Sequence, residues 1–516
     1  MALVATVSCT VGPDYQPPQI DLPDRWSEGP EGTITLVAEI AEWWTVFNDP
    51  TLNQLIEQAV QSNLDLQIAQ ARVCEARAQR SVVAADLWPR AQIASSYAFQ
   101  GTSLNKTPDT ARDSFGRQIR DTIITEAADD LFDSSFTTSK FAGDVIGETL
   151  SNQLIQKNTS NNRPRFQNLF DVGFDASWEI DVFGGLRRNI EAAEAQTDAA
   201  KEDCHDVLVT LVSEVARNYV EAVGYQHRLV ITRKNIEAQQ QTLALARLQY
   251  EGGLTSELDI AQAQAELSST QSQVSILETS FKRAMYQVSF LVGKFPEATL
   301  AEFEREAPIP LVPPEIPVGL PSDLLRRRPD IRRSERQLAA TNARIGAATA
   351  DLFPRFSLTG SFGSAAHDIR HVLDSKSLFW NAGPKVSWLI LDADRILANI
   401  NVQRAVWQQA LGQYQLTILR AIKEVEAALI ACQNERERYQ YLIEAVNANR
   451  LGVSLTTAQY REGTRDFLAV VDSQRALYTS QDRLVQSQVA ATLHAIAIFK
   501  ALGGGWDRGC VNTCVN

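Results

Sequence analysis

The sequence predicts a mainly helical chain with a transmembrane β part too small to close a barrel alone. Three observations carry that expectation: two very long proline-free periodic runs, four short stretches of alternating polarity, and a set of motifs that occur twice in the same order.

The helical runs come first because they occupy most of the chain. From about Leu186 to Gln249 there is no proline and one glycine, Gly224, while Leu208, Leu211, Val212, Val215 and Tyr219 recur at spacings of three and four. About sixty residues at 1.5 Å each reach roughly 90 Å. A matched run extends from about Ile396 to Gln459, and a shorter helix follows it with Leu484, Val485, Val489, Leu493, Ile496 and Phe499 as its apolar stripe. Periodicity this long predicts a coiled coil or helical array rather than a globular core. Each long helix and its shorter successor form a hairpin, with tips at 250–257 and 460–467.

The strands follow from a switch to period two. Phe170, Val172, Phe174, Ala176, Trp178 and Ile180 alternate with Asp171, Gly173, Asp175, Ser177 and Glu179; FSLTGSF (356–362) and the stretch from Trp380 to Ile390 alternate likewise, and 91–100 does so weakly. The expected strands are about 88–100, 168–180, 353–363 and 380–391. About ten residues suffice to cross a bilayer when tilted, although a water-facing antiparallel sheet shows the same alternation. Trp178 and Trp388, at matching strand ends, favour a membrane interface, where aromatic residues collect. An open sheet edge in lipid leaves backbone groups unpaired at several kcal/mol each. Two or three copies must therefore share a barrel, giving eight or twelve strands.

Internal duplication orders these elements. AADLWPR (84–90) recurs as TADLFPR (349–355), DASWEID (175–181) as KVSWLIL (385–391), and YEGGLTSELDIAQAQAEL (250–267) as YREGTRDFLAVVDSQRAL (460–477). Trp178 maps to Trp388 and Tyr250 to Tyr460 at one offset, whereas Asp86 maps to Asp351 at an offset about 55 residues longer, so the first copy carries an insertion. The resulting organisation is an extended segment at 1–48, a first repeat at 49–307 with its insertion at about 101–164, a Pro-rich connection at 308–321, a second repeat at 322–502 and a tail at 503–516.

Composition excludes other classes. The net charge of −13 and pI near 5.1 argue against nucleic acid, which demands clustered Lys and Arg. No apolar run reaches the length of a spanning helix. There is no phosphate loop, HExxH pair or GxSxG elbow, so no enzyme, cofactor or metal site is expected; His367 and His371 fall in a predicted outer loop, and RRRPDIRR reads as a solvated helix start. At the N-terminus, MALVATVSC is an apolar segment ending at Cys9 before Pro-rich TVGPDYQPP, the arrangement in which a lipoprotein cysteine is lipidated. The lack of Lys or Arg before Cys9 points to a shortened start. Cys74, Cys204, Cys432, Cys510 and Cys514 make no dense disulfide framework, and a pairing of Cys510 with Cys514 stays open.

Seven stretches in one order carry a resemblance: CTVGPDYQPP (9–18), WWTVFNDPTLNQLIEQA (43–59), SWEIDVFGGLRR (177–188), LPSDLLRRRPDIRRSERQLAA (320–340), TADLFPRFSL (349–358), YREGTRDFL (460–468) and LGGGW (502–506). Over nearly its whole length the chain resembles the outer-membrane factor family typified by TolC, in particular its OprM-like, NodT-type efflux lipoproteins. The resemblance implies a homotrimer forming one twelve-stranded outer-membrane β-barrel on a long periplasmic α-helical coiled-coil barrel. Its implied role is the passive exit duct of a tripartite pump, joined by a periplasmic adaptor to an inner-membrane RND-type transporter. Drugs, metals or other small molecules would pass from periplasm to exterior.

The family pattern also implies residue roles. Asp259 falls where a carboxylate links neighbouring helices, with Tyr460 and Arg465 at the positions of its partners. Asp472 falls where an acid projects into the closed periplasmic mouth, and Ala469 stands where some members have a second acid. Gly252, Gly253, Leu254, Gly463 and Thr464 match the tip turns gripped by the adaptor. From the residues alone, Asp472 also reads as a solvated helix-surface acid and Asp259 as a first-turn acid favoured by the helix dipole. The polar insertion at about 101–164 leaves an alternative open, a type I-like protein secretion conduit or a surface receptor.

Overall fold

The structure is a computed structural model that describes residues 10–27, 41–101, 166–297, 303, 307–310 and 319–506. Cys9, Cys510, Cys514 and the insertion after Gly101 lie outside the described residues. The elements are α1 (Pro50–Ser62), α2 (Leu64–Ala85), β1 (Arg90–Gly101), β2 (Phe166–Ile180), α3 (Gly185–Glu251), α4 (Glu257–Leu291), α5 (Leu324–Arg327), α6 (Pro329–Ala350), β3 (Arg355–Ala366), β4 (Leu378–Ser387), α7 (Ala393–Arg461) and α8 (Phe467–Ala501). The two long helices, α3 and α7, hold 67 and 69 residues, and α4 and α8 hold 35 each. The chain divides into two compact units, one from Met1–Tyr15, Ala78–Glu194 and Ala340–Val406 and the other from the remaining three segments.

The first unit contains the sheet, an antiparallel meander in the order β1-β2-β3-β4. Its register places Trp178 opposite Leu358 and Phe174 opposite Phe362, which in turn faces Trp380. Directly opposed residues share a face, so Ile93, Tyr97, Phe99, Phe174, Phe362 and Trp380 stand on one side, all exposed. The other side carries Asp171, Asp175 and Glu179 with Ser357 and Ser361, and Asp171, Ser357 and Ser361 are buried. Strands β1 and β3 begin two residues later than the expected bounds of 88 and 353. β1 starts at Arg90 and β3 at Arg355 because Pro89 and Pro354 have no N–H to donate. β4 therefore ends at Ser387, the partner of Arg355, and Trp388 falls just beyond it.

The same unit holds the start of the described chain. Val11 N–H donates to Phe183 O at 3.1 Å, and the Arg188 guanidinium reaches Val11 O at 3.2 Å and Asp14 Oδ1 at 2.7 Å. Asn342 Nδ2 donates to Pro13 O at 3.0 Å.

The second unit is helical. Asp49 caps α1 by accepting from the Thr51 and Leu52 N–H groups, and its other oxygen accepts from the Tyr219 hydroxyl at 2.7 Å. Burial of Tyr219, reinforced by that carboxylate, pushes its hydroxyl pKa up. Trp43 stacks on Phe499 at 5.3 Å, tying the segment before α1 to α8. Cys74 and Cys204 are disulfide-bonded, a constraint the sparse cysteine pattern does not reveal, while Cys432 is free and buried.

RRRPDIRR is not the solvated helix start that its charge predicts. The Arg328 side chain is 10% exposed, 2.7 Å from Asp330 and 2.8 Å from Glu424, and donates to Ala501 O at 2.9 Å. Arg332 pairs with Glu202 at 2.6 Å, and Arg333 pairs with Asp203 and Asp206 at 2.5 and 3.1 Å. Buried charge persists only when paired, and here the run locks α6 onto α3, α7 and the end of α8.

Candidate functional site at the helical tips

Each tip is a helix stop built from one left-handed residue. At the first, Gly253 has φ 73°, its N–H donates to Tyr250 O at 2.9 Å, and Leu254 N–H returns to Gln249 O at 2.9 Å. At the second, Gly463 has φ 72°, with its N–H on Tyr460 O at 3.0 Å and Thr464 N–H on Gln459 O at 3.0 Å. This pair of crossed bonds satisfies carbonyls that a helix end leaves open, and glycine is favoured because the backbone there is left-handed. Leu254 is 80% exposed and Leu258 and Leu468 are also exposed, so both tips present apolar side chains to the outside.

Behind the turns, Leu243 and Ala246 of α3, Ala263 and Leu267 of α4, Tyr460 of α7 and Phe467, Val470 and Val471 of α8 form one buried cluster. The apolar run before Asp472 is thus the core that joins the two hairpins. Asp472 itself turns away from that core, with its side chain 59% exposed.

The residues singled out in the sequence are brought together only in part. Asp259 Oδ2 accepts from the hydroxyl of Thr255, four residues earlier. Tyr460 is 6% exposed and packs edge-on against Phe467 at 5.3 Å, while its hydroxyl makes no hydrogen bond. Burial, with the nearby Asp259 carboxylate adding to it, raises the Tyr460 pKa. Arg465 donates to Gln459 Oε1 at 3.2 Å rather than to Asp259.

Sequence reasoning missed Arg475 and Glu266. Arg475 reaches Glu266 Oε2 at 2.7 Å, which ties α8 to α4, and approaches Asp472 Oδ1 at 3.7 Å. Half of this arrangement is legible, since residues three apart on a helix are neighbours; the contact between helices is not. Among the described residues no group of three or more His, Cys, Asp or Glu side chains is placed to hold a metal ion. His367 bonds Asn168 O at 2.9 Å and His371 pairs with Asp374 at 2.8 Å, so the two histidines do not converge.

In the sheet unit, the two tryptophans repeat one contact. Trp178 Nε1 donates to Leu87 O at 2.9 Å and Trp388 Nε1 to Leu352 O at 3.0 Å. Both indoles are exposed beside the ion pairs Asp86–Arg90 and Asp351–Arg355.

Comparison with known proteins places this geometry. The model of the outer membrane efflux protein family matches residues 149–294 and 320–504. The chain is 28% identical over 503 residues to Nodulation protein T of Rhizobium leguminosarum bv. trifolii, covering 97% of this chain and 95% of that protein. It is 28% identical over 504 residues to the Cation efflux system protein CusC of Escherichia coli K12, covering 97% of each. Among solved structures, the outer-membrane channel OprN superposes with a TM-score of 0.78 at 30% identity, covering 96% of this chain and all of that one.

Proposed function

Because the chain belongs to the outer membrane efflux protein family, we propose that it acts as a homotrimer, closing one twelve-stranded outer-membrane barrel as the passive exit duct of a tripartite efflux system. The observation that carries this reading is the sheet itself. It has one exposed apolar face, and among the described residues β1 and β4 each lack a neighbour on one side. Lipid tolerates the apolar face but not the unpaired edges, and pairing β4 of one copy with β1 of the next removes every edge.

The two halves are read as copies of one unit. Support comes from their matched contacts: Trp178 with Leu87 and Trp388 with Leu352, Gly253 and Gly463 at the tips, and Asn63 and Arg328 donating to Leu291 O and Ala501 O. The exposed tips, with Gly252, Gly253, Leu254, Gly463 and Thr464, are the surface offered to the periplasmic adaptor, which links the duct to an RND-type transporter. Asp472 faces the axis as one member of a threefold ring, and Asp259, Tyr460 and Arg465 adjust the fit between neighbouring helices. Trp178 and Trp388 mark the periplasmic membrane interface. A lipid on Cys9 would be held near that level, since Thr10 abuts Gly184 and Val11 is bonded to Phe183.

Cysteines introduced along the free edges of β1 and β4 test the assembly. Oxidation in intact cells should give a covalent trimer on denaturing gels; monomers alone would overturn the shared barrel. Deleting the gene should sensitise cells to small toxic solutes, and restoration by the intact chain alone would separate efflux from other causes.

A further inference from the structure

We infer that the open face of α2, carried by Leu64 and Ile68, is the seat for α7 of a second copy of this chain, which docks there through Gly412, Leu416 and Leu419. The inference rests on the shared barrel and adds a helical contact to its β4–β1 seam.

One chain already contains the precedent. α2 and α6 are both 22 residues long and each runs into a Pro-Arg strand start, so they align end to end. α3 and α7 align on their last residues, Glu251 and Arg461, ahead of the similar tips. Within the chain α3 receives α2 through Arg72, 4.0 Å from Asp203, and through the Thr197 hydroxyl on Ala76 O at 3.2 Å. It receives α6 through Arg332 on Glu202 and through Arg333 on Asp203 and Asp206. The remaining face of α2 is open, with Leu64 exposed and Ile68 51% exposed. On α7, Leu416 is exposed and Leu419 64% exposed. The residues aligned with Leu64 and Leu419 are Pro329 and Val209, and both are buried.

Charge fits the two open faces to each other. In the alignment Arg332 and Arg333 of α6 give way to Gln67 and Ile68 of α2. Glu202, Asp203 and Asp206 of α3 give way to Gly412, Gln413 and Leu416 of α7. Both sides of the contact lose their charges together, so α2 against α7 strands no ion. Exchange of partners is disfavoured, because Arg333 against Leu416 would bury an unpaired guanidinium and Ile68 against Asp206 an unpaired carboxylate. Gly412 adds a third sign. It lies inside a long helix, where glycine is unfavourable, and a Cβ there would meet nothing within 4 Å in its own chain. Close approach of Ile68 from a second copy accounts for it.

Chain order delivers the same two helices. β2 pairs with β3 in one chain; β2 leads into α3, and β3 is reached from α6. In the seam between copies β4 leads into α7, and β1 is reached from α2. Pairing β4 with β1 therefore brings α7 and α2 together as pairing β2 with β3 brings α3 and α6.

Charge exchange in the full-length protein tests the seat. Ile68→Arg alone and Leu416→Asp alone should each lower the ratio of trimer to monomer in detergent by about tenfold or more. The double variant rebuilds the pair that Arg333 makes with Asp206 and should recover the ratio to within about threefold. Additive loss in the double variant overturns the proposal, as does undiminished trimer in both single variants. Should the charged variants not accumulate, Ile68→Cys/Leu416→Cys decides: oxidation with copper phenanthroline in intact cells should give a covalent trimer that neither single variant gives. Monomer alone, or a crosslink to a different protein, overturns the seat. Cysteines at the β1 and β4 edges are scored in parallel. A trimer from those edges without one from the helices would refute the seat and leave the shared barrel standing; failure of both would refute the barrel as well.

Discussion

Arg475 stands 2.7 Å from Glu266, and this ion pair joins the second helix of one hairpin to the second helix of the other. The Glu266 side chain is 16% exposed and that of Arg475 57%, so the pair is anchored on its acidic side and open to solvent on its basic side. Such pairs contribute from a few tenths to about 1 kcal/mol. Arg475→Ala should therefore leave the fold intact while loosening the contact between α4 and α8, and single-channel conductance should rise. A double-mutant cycle with Glu266→Gln should give a coupling energy of that same size; additive effects on conductance would mean that the pair does not hold the tips together.

Asp472 is the second test of the tips. Its only ion-pair contact among the described residues is Arg475 at 3.7 Å. If three copies of this acid face one axis, their mutual repulsion and attraction for cations set the selectivity of the entrance. Asp472→Ala should raise conductance and lower the preference for cations, whereas Arg475→Ala should raise conductance and increase that preference. Equal ion selectivity in wild type and both variants, measured as reversal potential across a salt gradient, would remove Asp472 from the entrance.

These two residues show how far the sequence could be read. The long helices, the four strands and both tip glycines were legible, because each follows from period, proline placement or a turn signal in the sequence. The partner of Asp472 was not. Aligning the two similar tip sequences sets Asp472 on Gln262, Arg475 on Ala265 and Glu266 on Ala476, so the ion pair arises only where the two sequences differ. Asp259 was singled out with Tyr460 and Arg465, yet within one chain it bonds Thr255, a contact formed by a turn of only a few residues. RRRPDIRR failed for a related reason: its counter-charges lie on helices distant in sequence, and charge patterning along one helix cannot reveal them.

That basic cluster gives a pH prediction. The Asp206 carboxyl is held above its ordinary value of 3.8, chiefly by burial and against the pull of Arg333. The folded state thus binds this proton more firmly than the unfolded chain does. Its stabilising contribution is complete below pH 3.8 and disappears as pH rises through the folded value. At pH 7 the charged form is a cost, and Asp206→Asn should melt at a higher temperature than wild type in detergent. Arg333 keeps Asp203 at 2.5 Å, so the variant strands no charge. The advantage should shrink as the pH falls through the folded value and be gone below 3.8; a lower melting temperature at pH 7 would show that the ion pair with Arg333 outweighs the cost of burial.

The tip glycines separate backbone strain from contact. Gly253 and Gly463 have positive φ, and a Cβ at either would meet nothing within 4 Å. Alanine at these positions therefore adds no clash, only the left-handed strain of roughly 1–2 kcal/mol. That cost falls on a turn that is no part of the sheet unit, so trimer formation and global melting should change little. Efflux should fall if the adaptor grips the turn in this conformation, and Gly463→Asn should recover more activity than Gly463→Ala because asparagine tolerates the left-handed region better. Equal loss in the two variants would show that the adaptor reads the missing side chain rather than the backbone.

The matched tryptophans offer a test confined to the sheet. Trp178 and Trp388 each donate to a backbone carbonyl two residues before the proline that precedes a strand, at 2.9 and 3.0 Å. Replacement by phenylalanine keeps an aromatic ring and removes only the N–H, costing about 1 kcal/mol for each bond lost. Trp178→Phe and Trp388→Phe should lower the melting temperature by similar amounts and combine additively, while both variants still reach the outer membrane. Replacement by a charged residue should impair insertion as well, because the indoles then serve as interface anchors and not only as hydrogen-bond donors. Normal insertion of both charged variants would assign these tryptophans to the sheet ends alone.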